Sequence, residues 1–273
     1  MRVAMSTNPG HGRPNEDFVG AVPGAVVLLD GAGILGSEHI CRHGVAWYAR
    51  SLGSALLANL TRKGVSDPVE ALADSIEQVA DQHRHTCDIA DPSSPQATVA
   101  TIRSEDDRAD YLILADTFIA LDPVDAQSRA MTDAREVTVR TECTSSLDGM
   151  PVGTAEYEQA RLSAVSALRD RRNQPGGYWI AKDNPYAATE AVTGSVPLDH
   201  LRGAALLSNG ASRIVDPYRL AGWPSVIEML RTSGPDALLR RIRTAEADSG
   251  AAGLLPGFTS ADDATVAYCD LSY

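Results

Sequence analysis

The sequence predicts a single α/β domain, because strand-like runs stand near both ends of the chain and helical segments lie between them. The 273 residues are 44% hydrophobic and 22% charged, a composition typical of a globular protein. No Gly/Ser-rich linker and no internal repeat of about 20–50 residues interrupts the pattern. We therefore predict one domain over residues 1–273.

Apolar runs and their spacing predict the individual elements. Strands are expected at 2–6, 17–22, 25–29, 98–102, 111–115, 118–121, 178–181, 188–192, 204–207 and 264–269. Helices are expected at 39–60, 68–85, 154–172, 225–231 and 235–247. Asp67 and Thr154 stand at the positions of N-caps for the second and third helices.

Charge and cysteine usage exclude several classes of partner. The chain carries 36 Asp and Glu against 24 Lys and Arg, a net charge of −12, so no nucleic-acid partner is expected. The longest charge-free apolar stretch, 18–29, has about 12 residues where a spanning helix needs about 20, so no membrane partner is expected.

The four cysteines include no C-x-x-C pair, and the chain starts without an apolar leader. These two features predict reduced thiols and a cytoplasmic location.

Two local motifs are interpreted as structural. Gly31, Gly33 and Gly36 match the dinucleotide pattern G-x-G-x-x-G, but no acidic residue follows about 20 positions later, so nucleotide binding is disfavoured. His39 and His43 have a spacing that can hold Zn²⁺ on a helix, with Cys41 between them. Because no third or fourth ligand stands nearby in the sequence, we interpret these residues as a helix surface. The same interpretation applies to His83 and His85.

Carboxylates stand at or beside the ends of several predicted strands. They are Glu16, Asp17, Asp30, Asp116, Asp262 and Asp263. A single carboxylate at such a position is usually a turn former or a helix cap. Hard divalent cations take oxygen ligands, and a two-metal site requires a few carboxylates that converge from distant segments. The joint pattern therefore indicates a metal site.

Six segments resemble, in order and spacing, the metal-dependent protein phosphatases (the PPM or type 2C family), and bacterial, actinobacterial-like members in particular. They are 13–17 (RPNED), 28–33 (LLDGAG), 96–99 (QATV), 114–117 (LADT), 206–210 (LLSNG) and 261–266 (ADDATV). The resemblance covers nearly the whole chain and implies two mainly antiparallel sheets packed as a sandwich flanked by helices, an α-β-β-α arrangement. It also implies a Mn²⁺- or Mg²⁺-dependent phosphatase that acts on phosphomonoesters. Phosphoserine or phosphothreonine in a protein is the leading substrate, and a small-molecule phosphate ester is the alternative.

The resemblance assigns the metal ligands and the mechanism. Asp30 is expected to bridge two ions, and Asp262 to bind one of them. Glu16, Asp17 and the Gly31 carbonyl would serve the other ion, directly or through water. The two cations would polarise the phosphate and lower the pKa of a water that attacks phosphorus in line, so no protein nucleophile is required.

The resemblance gives two further residues a role. Arg13 resembles the arginine that grips the substrate phosphate, a task for which a planar guanidinium is suited. Asp116 resembles the aspartate that helps a third, weaker ion in bacterial members. Residues 173–193 depart most from the family pattern, and we predict that they form a substrate-selecting flap.

Two positions depart from the family motif. Asn209 replaces the aspartate of a Ser-Asp-Gly motif, so a neutral amide stands where an anionic metal ligand is expected. Ala32 occupies a position where many members have a histidine thought to protonate the leaving group. Three interpretations of Asn209 remain open: a natural pseudophosphatase that binds a phosphorylated partner, a working enzyme with an amide ligand, and a deliberate Asp-to-Asn change.

Overall fold

Two five-stranded antiparallel sheets organise the computed structural model, which describes residues 1–10, 14–33, 39–62, 67–248 and 261–272. The first sheet has the order β1 (Arg2–Asn8), β10 (Ala264–Asp270), β9 (Leu201–Leu207), β6 (Phe118–Pro123) and β7 (Arg129–Met131). The second has the order β2 (Phe18–Val22), β3 (Ala25–Ala32), β4 (Gln96–Glu105), β5 (Arg108–Leu114) and β8 (Val192–Pro197). The first and last strands of the chain therefore pair with each other.

Helices cover both outer faces of the sheets. Helices α1 (Val45–Leu60) and α2 (Pro68–His83) pack on the second sheet, and α6 (Trp223–Ser233) and α7 (Pro235–Asp248) pack on the first. Helices α3 (Arg135–Thr144) and α4 (Ala155–Asp170) follow β7, and the short α5 (Asn209–Ser212) follows β9. This layer order confirms the predicted α-β-β-α sandwich. Among the described residues, none of the helices combines the length and the hydropathy that a membrane span requires.

Strand β3 shows how the sequence specifies the layers. Its residues 25–29 form a continuous apolar run, and all five are buried. Val26 and Leu28 belong to the core between the two sheets. Val27 and Leu29 belong to the core beneath α1 and α2. A strand covered on both faces needs apolar residues at every position, which explains the unbroken run.

The structure agrees with two of the predicted helix starts and differs from a third. Asp67 accepts a hydrogen bond from the Val69 backbone N–H at 2.9 Å, and Thr154 accepts one from the Tyr157 N–H at 3.1 Å. Both predicted N-caps are confirmed. Helix α1 begins at Val45, after Gly44 with φ +77°, and not at residue 39.

In the middle of the chain, the sequence prediction misses one helix and places two strands wrongly. Helix α3 was not expected, because only Glu136 and Val139 among its residues are buried and no apolar stripe results. The segment 178–181 is buried, and it contributes two isolated bridges, from Ala181 to Ala97 and from Tyr178 to Arg172. Residues 185–190 form a 3₁₀ helix instead of a strand.

The predicted flap at 173–193 is also wrong. Tyr178 and Ile180 are 2% and 3% exposed, and Ala187 is fully buried beneath α2. A segment that fills the core cannot swing over a site. Tyr178 and Ile180 line the cleft from these buried positions, and α3, α4 and the segment between them supply much of the remaining wall.

Candidate metal centre

Four of the carboxylates predicted as ligands, those of Asp17, Asp30, Asp116 and Asp262, converge at one edge of the sandwich, where strands and loops from both sheets end. A cleft of about 670 Å³ opens there. Its lining includes Asp30, Asp116, Asn209 and Asp262. Asp17 lies within electrostatic reach of this group and is only 8% exposed. The structure therefore brings together residues that are up to 245 positions apart, from 17 to 262.

Asp30, at the end of β3, lies at the electrostatic centre of this group. Burial raises the pKa of the Asp30 carboxyl well above its ordinary value. The neighbouring negative charges raise this pKa further, in the order Asp17, Asp262 and Asp116. The backbone N–H of Asn209 donates a hydrogen bond to Asp30 Oδ2 at 3.0 Å, which offsets part of the shift. A carboxylate with three acidic neighbours is stabilised by a bound cation.

Asp17, just before β2, offers an oxygen that has no protein partner. Burial raises the pKa of its carboxyl to about 7; hydrogen bonding from the Thr265 and Ser208 side chains opposes this shift, and the charges of Asp263 and Asp262 add to it. Its Oδ2 is buried and accepts no hydrogen bond from the described residues. A buried carboxylate oxygen without a hydrogen-bond donor destabilises the folded protein unless a ligand such as a metal ion binds it. This oxygen fits the role of a metal ligand.

Gly31 allows the end of β3 to approach the chain around Glu16. A Cβ atom at Gly31 would lie 2.4 Å from the Glu16 carbonyl oxygen and 2.7 Å from Val45 Cγ1. Only glycine permits this contact without displacement of the backbone. The close approach places the Gly31 backbone beside the backbone of Glu16.

Asp263 has a structural role. Its Oδ1 accepts a hydrogen bond from the Gly10 N–H at 2.6 Å, and its Oδ2 accepts one from the Glu16 N–H at 2.7 Å. Asp263 therefore fixes both ends of the loop that precedes β2. It positions Glu16 and Asp17 while its neighbour Asp262 lines the cleft.

Asp116 and Asn209 make a direct contact. Asn209 Nδ2 donates a hydrogen bond to Asp116 Oδ2 at 2.9 Å, and Arg140 Nη2 donates to the same oxygen at 3.1 Å. Arg140 also binds Glu136, one turn earlier on α3, at 2.7 Å. Two hydrogen-bond donors, one of them charged, therefore stabilise the negative charge of the Asp116 carboxylate.

Arg213 and Arg140 are cleft residues that sequence reasoning missed. Arg213 is 5% exposed, and its Nη2 donates a hydrogen bond to Asp262 Oδ2 at 2.5 Å. The partners stand 49 positions apart, and no local pattern connects them. Arg140 had a detectable signal, because Glu136 and Arg140 have the i, i+4 spacing of a helical ion pair. The predicted phosphate ligand Arg13 lies outside the described residues.

Ala32 lines the cleft, as the sequence analysis implies, and no histidine is found among the described residues that line it. The leaving group would therefore receive its proton from another donor or from water. Glu136 is one ionisable candidate in the lining. Burial raises the pKa of its carboxyl, and the charge of Asp116 raises it further.

The donor set fits hard divalent cations. Every candidate ligand is an oxygen, from a carboxylate, an amide or a carbonyl. One of these oxygens, Asp17 Oδ2, is buried without a hydrogen bond, and the carboxylates raise the pKa of Asp30 together. A pair of Mg²⁺ or Mn²⁺ ions would bind the unpartnered oxygen and offset the mutual repulsion of the carboxylates.

Comparison with solved structures shows a shared fold. PstP/Ppp, a serine/threonine phosphatase of Mycobacterium tuberculosis, is 17% identical over 100% of this chain and 99% of its own, with a TM-score of 0.58. The serine/threonine phosphatase Stp1 of Staphylococcus aureus is 13% identical over 99% and 95%, with a TM-score of 0.58. The catalytic domain of PstP in complex with two manganese ions is 18% identical over 98% and 97%, with a TM-score of 0.56.

Sequence comparison identifies the family. No curated protein matches the chain. The family model described as protein phosphatase 2C matches residues 9–241, which is most of the chain and includes Asp17, Asp30, Asp116 and Asn209. The predicted resemblance is confirmed, and the chain belongs to the protein phosphatase 2C family.

Proposed function

We propose that this protein hydrolyses phosphomonoesters with two divalent cations, Mn²⁺ or Mg²⁺, and that its substrate is phosphoserine or phosphothreonine in a protein. The observation that carries the proposal is the convergence of Asp17, Asp30 and Asp262, whose charges act on one another at the cleft. Membership of a phosphatase family supports the reaction class. The manganese complex of PstP, a structural relative, supports the choice of metal.

The residues divide into two ligand groups that share Asp30. Asp17, Glu16 and the Gly31 carbonyl would hold one ion, and Asp262 would hold the other. Cations in these positions supply positive charge to a phosphoryl group and lower the pKa of a water. Asp263 keeps Glu16 and Asp17 in place through its two backbone hydrogen bonds.

Positive side chains in the same cleft are suited to the phosphate. Arg140, Arg172 and Arg213 line the cleft together with the acidic group. Arg172 donates a hydrogen bond to the Tyr178 hydroxyl and lies over its ring, which fixes the guanidinium. We propose that these arginines assist Arg13 in binding the substrate phosphate.

Asp116 does not require a third ion in this protein. Its Oδ2 already accepts hydrogen bonds from Asn209 and Arg140, so the negative charge that would attract a cation is compensated. We therefore propose a two-ion site in which Asn209 replaces one ion-mediated contact with a direct hydrogen bond. This assignment favours a working enzyme with an amide at position 209.

The rim of the cleft supports a polypeptide substrate. Val152 and Val165 line the cleft and are 69% and 43% exposed, which leaves apolar surface beside the acidic group. Such surface can contact residues that flank a phosphorylated side chain.

All four cysteines are free, which supports a cytoplasmic location.

Hydrolysis of p-nitrophenyl phosphate with added Mn²⁺ tests the reaction. The wild type should be active, Asp30→Asn should lose at least a hundredfold in kcat/KM, and the matched exposed variant Asp107→Asn should keep its activity. Activity that survives Asp30→Asn would overturn the metal mechanism.

A second assay tests the substrate and the rival function. A phosphothreonine peptide should be hydrolysed with a higher kcat/KM than p-nitrophenyl phosphate and than a panel of small phosphate esters. Preference for a small ester would replace the protein substrate. Binding of the peptide without metal and without turnover would show a pseudophosphatase that holds a phosphorylated partner.

A further inference from the structure

Four side chains with nitrogen and sulfur donors meet at the start of α1, away from the acidic cleft. They are Cys41, His43, His83 and Cys87. From the sequence alone, the first three are interpreted as helix surface because no further ligands stand nearby in the chain. That interpretation is wrong, because folding brings the end of α2 and the turn after it against residues 41–43. The four ligand atoms all lie within 4.8 Å of one another.

Three nitrogen–sulfur separations in the cluster agree with those of a tetrahedral site, and every other pair of ligand atoms lies within 4.8 Å. Cys41 Sγ lies 3.8 Å from His43 Nδ1 and 3.6 Å from His83 Nδ1. Cys87 Sγ lies 3.3 Å from His43 Nδ1. Zinc bonds of about 2.3 Å to sulfur and about 2.0 Å to nitrogen, at tetrahedral angles, place ligand atoms roughly 3.3–3.8 Å apart.

We propose that Cys41, His43, His83 and Cys87 bind one Zn²⁺ ion as a structural site. Two thiolates and two imidazoles form a donor set that selects zinc over the hard cations of the cleft. Each cysteine binds as a thiolate after its proton passes to solvent, and each histidine binds through neutral Nδ1. Four protein ligands leave no open position for a substrate, which is typical of a structural rather than a catalytic ion.

The surroundings of the cluster fit a buried metal. Cys41 and His83 are each 2% exposed, and His43 and Cys87 are half-buried. Trp47 stacks on His43 with ring centroids 4.4 Å apart and meets the edge of His83 at 5.1 Å. These rings hold both imidazoles in place.

The site would connect the segment before α1 with the end of α2. Cys41 and His43 precede α1, His83 is the last residue of α2, and Cys87 lies in the turn that follows. A backbone hydrogen bond from Asp88 N–H to the Ile40 carbonyl at 2.9 Å already joins the two segments. Zinc would add four bonds to this junction.

This junction supports the acidic cleft from outside. Val45, the first residue of α1, lies so close to β3 that a Cβ atom at Gly31 or Gly33 would come within 2.7 Å or 2.2 Å of its side chain. Both glycines lie within three residues after Asp30. The zinc ion would therefore fix the position of α1 against the strand end that carries Asp30, without contact with substrate.

Metal analysis and cobalt spectroscopy of the full chain test the proposal. Protein purified with reduced thiols and then dialysed should retain about one Zn²⁺ per chain. Asp30→Asn should retain the same amount, because the cleft is a separate site. The Cys41→Ser/Cys87→Ser double variant should lose that equivalent, whereas the matched controls Cys143→Ser and His85→Gln should retain it. Wild type in which Co²⁺ replaces zinc should show a thiolate-to-metal charge-transfer band, which the oxygen ligands of the cleft cannot produce.

Three results would overturn the proposal. One is folded wild type that binds no zinc and shows no thiolate band with Co²⁺. Another is zinc retained in the double cysteine variant. The third is a Cys41–Cys87 disulfide in protein isolated without metal chelators. The cobalt band is measured on the wild type, so the test remains decisive even when the double variant does not fold.

Discussion

Replacing Asn209 with aspartate sets a negative charge against Asp116, where the structure has a hydrogen bond of 2.9 Å. Two unit charges about 4 Å apart repel by about 4 kcal/mol at an effective dielectric constant of about 20. Arg140, which binds the same Asp116 oxygen, offsets part of this repulsion. In a chelator at pH 8 we therefore expect Asn209→Asp to lower the free energy of unfolding by about 2–4 kcal/mol, or Tm by roughly 5–10 °C.

The same substitution should strengthen metal binding, because a cation between the two carboxylates converts repulsion into attraction. We expect the Kd for Mn²⁺ to fall by at least about tenfold, which corresponds to about 1.4 kcal/mol. Scanning calorimetry in chelator and calorimetric Mn²⁺ titration measure the two effects. Asn209→Ala is the control, since it removes the hydrogen bond without adding charge. The reasoning is refuted when Asn209→Asp and Asn209→Ala have the same stability in chelator and the same Mn²⁺ affinity.

Three further changes test other contacts of the site. The pKa of Asp17 is about 7 in the folded protein against an ordinary value of 3.8, so the folded state binds more protons than the unfolded state between these values. Metal-free stability should therefore fall as pH rises from about 4 to 7, with Asp17 contributing up to about 4 kcal/mol, and urea titrations of Asp17→Asn should show a smaller fall, because Asp30 still contributes to it. Gly31→Ala should lower stability by about 1–3 kcal/mol in thermal melts, because its Cβ would lie 2.4 Å from the Glu16 carbonyl oxygen; an unchanged Tm would contradict that contact. Arg140→Gln should cost on the order of 1–2 kcal/mol after allowance for its partial exposure, and should let Asp116 recruit a third Mn²⁺; an unchanged stoichiometry would show that Arg140 does not exclude that ion.

Much of the fold was predictable because local sequence carried the signal. The run at 25–29 is apolar at every position since β3 is covered on both faces, and it ends at Asp30 where the cleft opens. Asp67 and Thr154 were predictable as caps because each lies directly before a helix. The acidic residues of the cleft were found from their places at strand ends.

Contacts between distant segments were not predictable in this way. The cluster of Cys41, His43, His83 and Cys87 joins two pairs of residues that are 40 positions or more apart. The ion pair of Arg213 with Asp262 likewise depends on how α5 meets the last strand. The segment 173–193 departs from the family pattern, yet its residues Trp179, Ala181, Ala187 and Ala188 belong to the core beneath α2.

Calorimetric titration of Mn²⁺ tests the central claim most directly, because it measures the metal-binding capacity of the acidic cluster without assuming a substrate. The account predicts two Mn²⁺ ions per wild-type chain, loss of binding in Asp30→Asn, and unchanged binding in Asp107→Asn. Wild type that binds no Mn²⁺, or Asp30→Asn that binds it as the wild type does, would contradict the account.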